Sequence, residues 1–469
     1  MFSNYDTIMK QVLYVILILW SGTLIGQAQP SPVASTILDG YVQEGLQNNL
    51  ALKQEGLEIS RVTESLTQAR SLFYPRVAFN PTYSLAAGGR RLEFPVGDLL
   101  NPAYTALNKL TGREQFPTNL QNVSQQLAPN NFHDTKITVQ YALYNTDIQY
   151  NYLIQKSLVL AQEARRRVIE NEIRYSIQTA YYQYLQTLEG LRIYDNARST
   201  LRELTRLNEK LVANNVATKE IVTQARYEIS KVDQQVAVAE RNRESSRAYL
   251  NFLLNRDLTT LILIDSTLLR TPATNVLATN AELTELQQSA VRTRQEIGQL
   301  GYSLAAAQTA VKLNEINAMI PNLYVGGNAG FQGFGYTFQN QAYAVLQFGL
   351  QWDLFRGYEK RSKIQQAKIQ TDLLQTRLSE LERQIQLQVL QAYYDLDAAN
   401  ESLVATQSGA VNAEQTFRII DSKYRNGQAL LIEFLRVQND RLTAQLQQSL
   451  ARMDVLIKRA ALNRAVAVP

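Results

Sequence analysis

The longest patterns in the chain are stripes of apolar residues spaced three and four positions apart. From about residue 147 to 213 the chain contains no proline and one glycine, Gly190. Such a stretch of about 67 residues predicts a helix roughly 100 Å long at 1.5 Å per residue. A return stretch over 221–253 and two more over 374–396 and 432–457 carry the same spacing. These stripes, on helices rich in Gln, Arg and Glu, predict coiled-coil packing.

A second pattern, with a period of two, predicts β-strands. One run lies just before residue 144, and a longer one extends from Ala342 to Leu354. The side chains expected on the apolar face are Ile137, Val139, Tyr141, Leu143, Leu346, Phe348, Leu350 and Trp352. An apolar face opposite a polar, glycine-containing face is typical of a transmembrane strand between lipid and a water-filled lumen. A strand of a soluble sandwich is the alternative. Each half offers about two strands, and four cannot close a barrel, so the membrane interpretation requires other chains.

The chain also repeats itself. Gln140–Tyr144 resembles Gln351–Phe355 at an offset of 211, and Ala180-Tyr-Tyr resembles Ala392-Tyr-Tyr at an offset of 212. Two helices, over about 36–74 and 281–320, are expected to end before Pro75 and Pro321, which are 246 residues apart. The first half therefore carries about 34 additional residues, seen as a loop over 88–132 rich in Gly, Pro and Asn. We interpret 29–265 and 266–469 as two structural repeats, each with a helix, a β-hairpin and long coiled-coil helices.

The N-terminal segment 1–28 has the pattern of a signal peptide. Lys10 precedes a short apolar run that ends at Trp20, and Gly26-Gln-Ala28 offers a small-residue cleavage site. The apolar run is shorter than the roughly 20 residues that span a bilayer. Either Met1 or Met9 serves as the start. The pattern predicts an exported protein.

The composition removes several classes of function. The chain has no Cys and one His, His133, which excludes disulfides, thiolate chemistry and sites with two His ligands. His133 follows an Asn- and Pro-rich stretch and is expected in a loop. The formal net charge of +5 is spread along the chain, so no nucleic-acid-binding surface is indicated. We assign no catalytic, cofactor-binding or metal-binding residue and expect no enzymatic activity.

The ordered set of an export signal, a helix ending at a proline, a hairpin and long helices, present twice, resembles the outer-membrane efflux proteins, the TolC-like family. The resemblance extends from about 36 to 464. It implies a mainly α fold with a small transmembrane β part. Three chains would each give four strands to a twelve-stranded β-barrel, and their helices would form an α-barrel across the periplasm. Leu258–Asp265 would belong to a belt around the middle of that α-barrel.

The resemblance also implies a function and its partners. The homotrimer would be the exit duct of a tripartite efflux or type I secretion system in the outer membrane of a Gram-negative cell. It would contact outer-membrane lipid and a periplasmic adaptor, or membrane fusion protein, and would passively conduct the substrates of an inner-membrane transporter. The chemical nature of those substrates is open, as is the role of the 88–132 loop.

The family's functional positions can be placed by the turns between the long helices. The helix tips that would contact the adaptor are Asn215 and Val216 in the first repeat, and Gly427 and Gln428 in the second. Gly427 suits a left-handed helix cap, and Asn215 is the next most tolerant residue type. The two acidic positions that narrow the aperture in well-known members correspond to Glu433 and Arg436. Glu433 is acidic, as in those members, whereas Arg436 is basic. We therefore expect the channel to prefer cations less than a channel with two acidic positions does. Glu433 and Arg436 lie one turn apart and are candidates for an ion pair.

Two alternatives from other classes stay open. A soluble periplasmic coiled-coil adaptor or scaffold would explain the helices without the lipid-facing strands. An exported hydrolase would have to rely on carboxylates alone, and no acidic pair in a loop beside a strand supports that interpretation.

Overall fold

The computed structural model describes residues 36–128, 130–270 and 280–467, and the predicted signal peptide lies outside them. The fold is mainly α-helical with a small β part, as predicted. The first half contains α1 (Thr36–Asn48), α2 (Leu50–Ser71), β1 (Arg76–Ser84), β2 (Arg91–Phe94), α3 (Val96–Thr111), β3 (Val123–Gln126), β4 (Phe132–Tyr144), α4 (Thr146–Ala213) and α5 (Glu220–Leu253). The second half contains α6 (Asn280–Thr293), α7 (Gln295–Met319), β5 (Asn322–Phe334), β6 (Ala342–Gln351), α8 (Glu359–Arg425) and α9 (Leu431–Val466), and a 3₁₀ turn occupies Leu268–Arg270.

The described residues form two compact units, each drawn from both halves of the sequence. The helical unit comprises 36–49, 172–270 and 392–464. The sheet unit comprises 50–128, 130–171, 280–391 and 465–467. The proposed repeats 29–265 and 266–469 describe the sequence pattern, whereas each unit combines equivalent segments of the two.

The two helices predicted as continuous are each broken once. Asn49 separates α1 from α2, and its side-chain Nδ2 donates to the Leu253 carbonyl at 2.8 Å. Arg294 separates α6 from α7 in an extended conformation, with a ψ of 127°. Its guanidinium pairs with Glu296 at 2.5 Å and donates to Gln388 at 2.6 Å. The breaks are 245 residues apart, close to the 246 between Pro75 and Pro321, so they too are duplicated.

Four strands form one antiparallel sheet in the order β1-β4-β5-β6. The strands have 9, 13, 13 and 10 residues, which is close to the roughly 9–11 that cross a bilayer at a tilt. β6 ends at Gln351, three residues earlier than predicted. Asp353 pairs with Arg356 at 2.8 Å and its carbonyl accepts from Lys360 at 2.5 Å. These contacts turn the chain toward α8, so Trp352 lies just beyond the strand.

The insertion predicted as a loop over 88–132 has regular structure. β2 pairs with β3 in an antiparallel hairpin, with Arg91 opposite Gln126 and Phe94 opposite Val123. The 16-residue helix α3 lies between these two strands in the chain. Some of the Gly, Pro and Asn residues that indicated a loop lie between these short elements, as Gly88 and Gly112 do, and others, such as Asn101 and Pro102, lie within α3 itself.

His133 is a strand residue rather than a loop residue. It belongs to β4 and is fully buried. Its Nε2 donates to Gln341 Oε1 at 2.6 Å, and the rings of Tyr336 and Phe338 lie 4.7 and 5.1 Å from its own. The segment between β5 and β6 therefore covers the imidazole, a long-range contact that local sequence does not indicate.

Two tyrosines of the helical unit fix the segment Leu258–Asp265. The Tyr181 hydroxyl donates to the Leu263 carbonyl at 3.0 Å and accepts from the Asp265 N–H at 2.9 Å. The Tyr41 hydroxyl accepts from the Leu263 N–H at 2.7 Å. Burial raises the pKa of Tyr181 to about 12, which keeps its hydroxyl protonated. The assignment of this segment to a mid-barrel belt stays a prediction.

Close packing between strands requires glycine at Gly330 of β5 but not at Gly326, which lies on the same face. A Cβ at Gly330 would lie 2.1 Å from the Thr135 carbonyl oxygen, whereas one at Gly326 would meet no atom closer than 3.5 Å. We expect Gly330→Ala to lower the free energy of unfolding by about 1–3 kcal/mol through overpacking. Gly326→Ala, the matched control, is expected to be neutral or stabilising by about 0.5–1 kcal/mol. Thermal unfolding midpoints of the purified proteins measure the difference, and equal midpoints would contradict this packing.

Candidate functional site

One face of the four-stranded sheet is apolar and exposed. Cross-strand partners share a face, and here Phe79 lies opposite Ile137, Val139 opposite Gly327, and Val325 opposite Phe348. The register brings six predicted residues together on this face: Ile137, Val139, Tyr141, Leu346, Phe348 and Leu350. Leu346 is 69% exposed and Phe348 75%. An apolar surface of this kind indicates a lipid or protein partner.

The other two predicted members of the apolar face lie at irregular positions. Leu143 sits where the register between β4 and β5 shifts, between Ala142 and Tyr144. Trp352 follows the last residue of β6. Sequence reasoning missed the contribution of β1, where Val77 and Phe79 are exposed on the same face. The alternation in β1 is short and contains Pro81, which an edge strand tolerates.

The opposite face of the sheet is polar. Asn80 Nδ2 donates to Thr138 Oγ1 at 2.9 Å, which links β1 to β4. Asp134 accepts from Lys136 Nζ at 2.5 Å and from the Tyr343 hydroxyl at 2.7 Å, which links β4 to β6 across β5. Hydrogen-bonded polar side chains on this face suit contact with water, whereas the face behind them does not.

Exposed aromatic residues mark both ends of the apolar face. Tyr74, Trp352 and Phe355 lie at the end where the helices join the sheet. Tyr83 and Tyr336 lie at the opposite end, with ring centroids 6.0 Å apart. Two aromatic bands that flank an apolar band are typical of β-sheets at the two interfaces of a membrane.

The sheet is open at both edges. β1 and β6 are its outer strands, and each pairs with one neighbour within the part of the chain that the structure describes. Successive strands alternate in direction, so β6 of one chain would be antiparallel to β1 of another placed beside it. The edges could therefore continue in the same antiparallel pattern.

The turns between the long helices have the predicted left-handed caps. Asn215 has a φ of 57° and Gly427 a φ of 72°. The Val216 N–H donates to the Leu211 carbonyl at 2.9 Å, and the Gln428 N–H donates to the Lys423 carbonyl at 2.8 Å. Both turns are Schellman motifs, which satisfy the last carbonyls of a helix. Asn215, Val216, Gly427 and Gln428 are all exposed, so the tips are free for contact in the single chain.

Glu433 and Arg436, one turn apart in α9, each contact another residue and do not form the ion pair expected between them. Glu433 Oε2 accepts from the Leu430 N–H at 3.1 Å, so this carboxylate caps the start of its own helix. Arg436 Nε lies 3.8 Å from Asp440 Oδ2 rather than beside Glu433. Both side chains are exposed. Sequence reasoning missed Asp440, which places a second acid one turn beyond Arg436.

A buried polar contact holds α8 against α4 near the tips. The Tyr424 hydroxyl donates to Asn208 Oδ1 at 2.7 Å, and Asn208 Nδ2 donates to the Ile221 carbonyl of α5 at 3.2 Å. The surrounding apolar cluster draws on all four long helices: Leu201, Leu204, Ala225, Val232, Val236, Phe417, Tyr424, Phe434 and Leu435. The two polar partners are 216 residues apart, so no sequence motif could indicate them.

Two features are absent from the described residues. None of their helices combines the length and apolar character needed to cross a membrane. They also contain no cluster of three or more His, Asp or Glu side chains placed to hold a metal ion.

Part of the chain matches the model of a known protein family. Residues 286–468, which include β5, β6 and α9, match the model of the outer membrane efflux protein family. This match confirms the resemblance seen in the sequence. No curated protein matches the chain in a sequence search.

Several solved structures share the fold at low sequence identity. The outer-membrane channel OprN is 16% identical, with 93% of this chain and 91% of OprN covered and a TM-score of 0.71. The CmeC outer membrane channel of Campylobacter jejuni is 14% identical, with coverages of 92% and 85% and a TM-score of 0.70. CusC is 13% identical, with both coverages at 92% and a TM-score of 0.73.

The Tyr424–Asn208 contact predicts a measurable loss of stability. Tyr424→Phe leaves the buried Asn208 oxygen without its donor, so the free energy of unfolding should fall by about 1–3 kcal/mol. Burial raises the pKa of Tyr424, so its stabilising effect should be complete below pH ~10 and lost as the pH rises through the higher folded-state pKa. Urea denaturation tests both effects. Tyr394→Phe, at an exposed position of the same helix, is the control, and an equal loss there would contradict the assignment.

Proposed function

We propose that this chain, whose residues 286–468 match the outer membrane efflux protein family, is one subunit of a homotrimeric outer-membrane channel. The observation that supports the proposal best is the sheet, with one exposed apolar face, one polar face and two edges that pair with no further strand among the described residues. Within a hydrocarbon layer every backbone N–H and C=O needs a partner, so an open sheet must be closed by other strands. Copies of the same chain supply them.

Three copies would provide a barrel of twelve strands. The alternating directions of β1, β4, β5 and β6 allow β6 of one copy to pair with β1 of the next without a change of pattern. The apolar face would then lie against outer-membrane lipid and the polar face would line a water-filled lumen. The aromatic residues at the two ends of the apolar face fit the two interfaces of the membrane.

The proposed channel is the exit duct of a tripartite efflux or type I secretion system, located in the outer membrane of a Gram-negative cell. The helices would continue it into the periplasm as an α-barrel. Its partners would be a periplasmic adaptor and an inner-membrane transporter, and the transporter would supply the energy and select the substrate. The channel conducts passively.

The helix tips support this arrangement of partners. Val216 is 70% exposed, and the neighbouring second tip exposes Leu430 and Ile432. Apolar side chains at the end of a coiled coil are costly to leave in water, so an adaptor that covers them would gain affinity. Glu433 and Arg436 lie next to this tip and are the proposed residues of the aperture.

A soluble coiled-coil scaffold is the weaker candidate. Its helices would resemble those described here, but it would have no use for an exposed apolar sheet face with aromatic ends.

Neighbouring residues of β6 allow a matched test of the lipid-facing assignment. Phe348 lies on the apolar face and Gln347 on the polar face. An Arg on the lipid side of a barrel costs about 2–4 kcal/mol near the bilayer midplane, whereas one in the lumen is tolerated. Phe348→Arg should therefore strongly reduce the heat-labile trimer recovered from outer membranes, and Gln347→Arg should leave its amount near that of the unmodified protein. Equal recovery of the two variants would contradict the assignment.

The charges at the proposed aperture predict opposite changes in ion preference. Removal of an acidic charge from a pore constriction lowers its attraction for cations, and removal of a basic charge raises it. In planar bilayers under a salt gradient, Glu433→Gln should therefore shift the reversal potential toward the equilibrium potential of the anion. Arg436→Gln should shift it toward that of the cation. Circular dichroism and gel mobility of the trimer control for folding. An unchanged ion preference in both variants would show that neither residue lines the aperture.

A further inference from the structure

The helix α3 of the insertion packs through its polar side. Asn101 Nδ2 donates to the Leu120 carbonyl at 2.8 Å, and its Oδ1 accepts from the Leu120 N–H at 2.9 Å. Asn108 makes the same pair of contacts with Phe116, at 2.8 and 3.0 Å. Two asparagines, two turns apart, thus bind the backbone of the segment that follows the helix.

The space between α3 and that segment is filled. The rings of Tyr104 and Phe116 stack with centroids 5.5 Å apart. A Cβ at Gly97 would lie 2.2 Å from the Leu120 carbonyl oxygen, so the backbones approach closely there. The polar side of α3 is therefore its inner side within the insertion.

The outer side of α3 is apolar and uncovered in the single chain. Leu99 is 69% exposed and Leu110 84%, and Leu100 and Leu107 are exposed as well. Ala103 and Ala106 lie between them and are also exposed. We define the α3 seam as the positions spaced by alternating steps of four and three: Val96, Leu100, Ala103, Leu107 and Leu110. Alternation of this kind is the pattern of a helix that packs against other helices.

The charges on α3 favour a helical partner over a lipid surface. Helices that lie on membranes usually carry Lys and Arg along their polar face. Here the helix carries one acid, Asp98, and one base, Lys109, and neither belongs to the seam. Identical seams can therefore approach one another without repulsion between like charges. A neutral, heptad-spaced face is complementary to a second copy of itself.

The sheet places such copies within reach. The insertion leaves the sheet at the end of β1, opposite the end where α2 and α4 join it. β1 is an edge strand, and α3 begins 12 residues after Ser84. In the proposed trimer that edge adjoins the next subunit, so all three α3 helices lie at the outer mouth of the barrel.

We propose that the α3 seam packs against the α3 helices of the two other copies and forms a three-helix cap at the outer end of the channel. This inference rests on the proposed trimer. Five seam residues are far fewer than the roughly 20–30 residues per partner of a stable interface, so the seam cannot assemble the copies by itself. The barrel holds the copies together and supplies the high effective concentration that lets a small seam form.

Single cysteines test the cap, because the natural chain contains none. Leu110→Cys places a thiol in the seam, and Thr105→Cys places one on the opposite side of the same helix. Both positions are exposed, so neither substitution is expected to disturb folding. Oxidation of intact cells should give at least about tenfold more covalent dimer for Leu110→Cys on a non-reducing gel, since a disulfide requires Cα atoms about 4.4–6.8 Å apart.

The same samples separate the cap from the proposed function. A heat-labile trimer with strong Leu110→Cys cross-linking supports both. A trimer in which the two cysteines cross-link equally, or not at all, overturns the cap and leaves the proposed channel intact. Quenching of a fluorophore at Leu110→Cys by lipid-borne quenchers would instead place the seam on the membrane surface and overturn the cap. Loss of the trimer in the unmodified protein would overturn both.

Discussion

The hydrogen bonds of the strand edges are the constraint on which the architecture depends. In one chain, the outer backbone groups of β1 and β6 pair with no strand among the described residues. In water such groups would be solvated, but beside an apolar face that includes Leu346 and Phe348 they would lie in lipid, where each unpaired group costs several kcal/mol. Closure by identical copies removes this cost. The alternating strand directions make that closure possible. In the proposed channel, contact of the apolar face with lipid is therefore the reason for the oligomer.

The start of α4 follows directly from the end of β4. Only Asn145 separates β4 from α4, and its Oδ1 accepts from the Ile148 N–H at 3.2 Å, which caps the new helix. The chain thus changes from strand β4 to helix α4 within one residue. At their C-terminal ends, α4 and α8 are capped alike, each by a residue with positive φ: Asn215 after α4 and Gly427 after α8. The duplication therefore extends to the hydrogen bonds of the caps, and it places two exposed tips in the helical unit of each chain.

Periodic and local features could be predicted from the sequence, and long-range ones could not. The period of two located the apolar faces of β4 and β6 because side-chain direction in a strand is fixed by position. The left-handed caps were predictable because few residue types tolerate positive φ. The break at Asn49 depends on the Leu253 carbonyl, and the burial of His133 depends on Gln341, so neither had a local signal. The insertion was interpreted as a loop from its content of Gly, Pro and Asn. Its helix α3 was missed, since it turns polar asparagines inward and exposes its leucines, the reverse of the usual arrangement.

In the proposed channel the two faces of the sheet meet different solvents, lipid on one side and water on the other. The most direct measurement is the reactivity of single cysteines along β6 in isolated outer membranes toward a small, water-soluble thiol reagent. We expect rapid labelling at Val345→Cys and Gln347→Cys, whose side chains lie on the polar face, and protection at Leu346→Cys and Phe348→Cys. Equal labelling at all four positions would contradict it, because both faces would then be in contact with water.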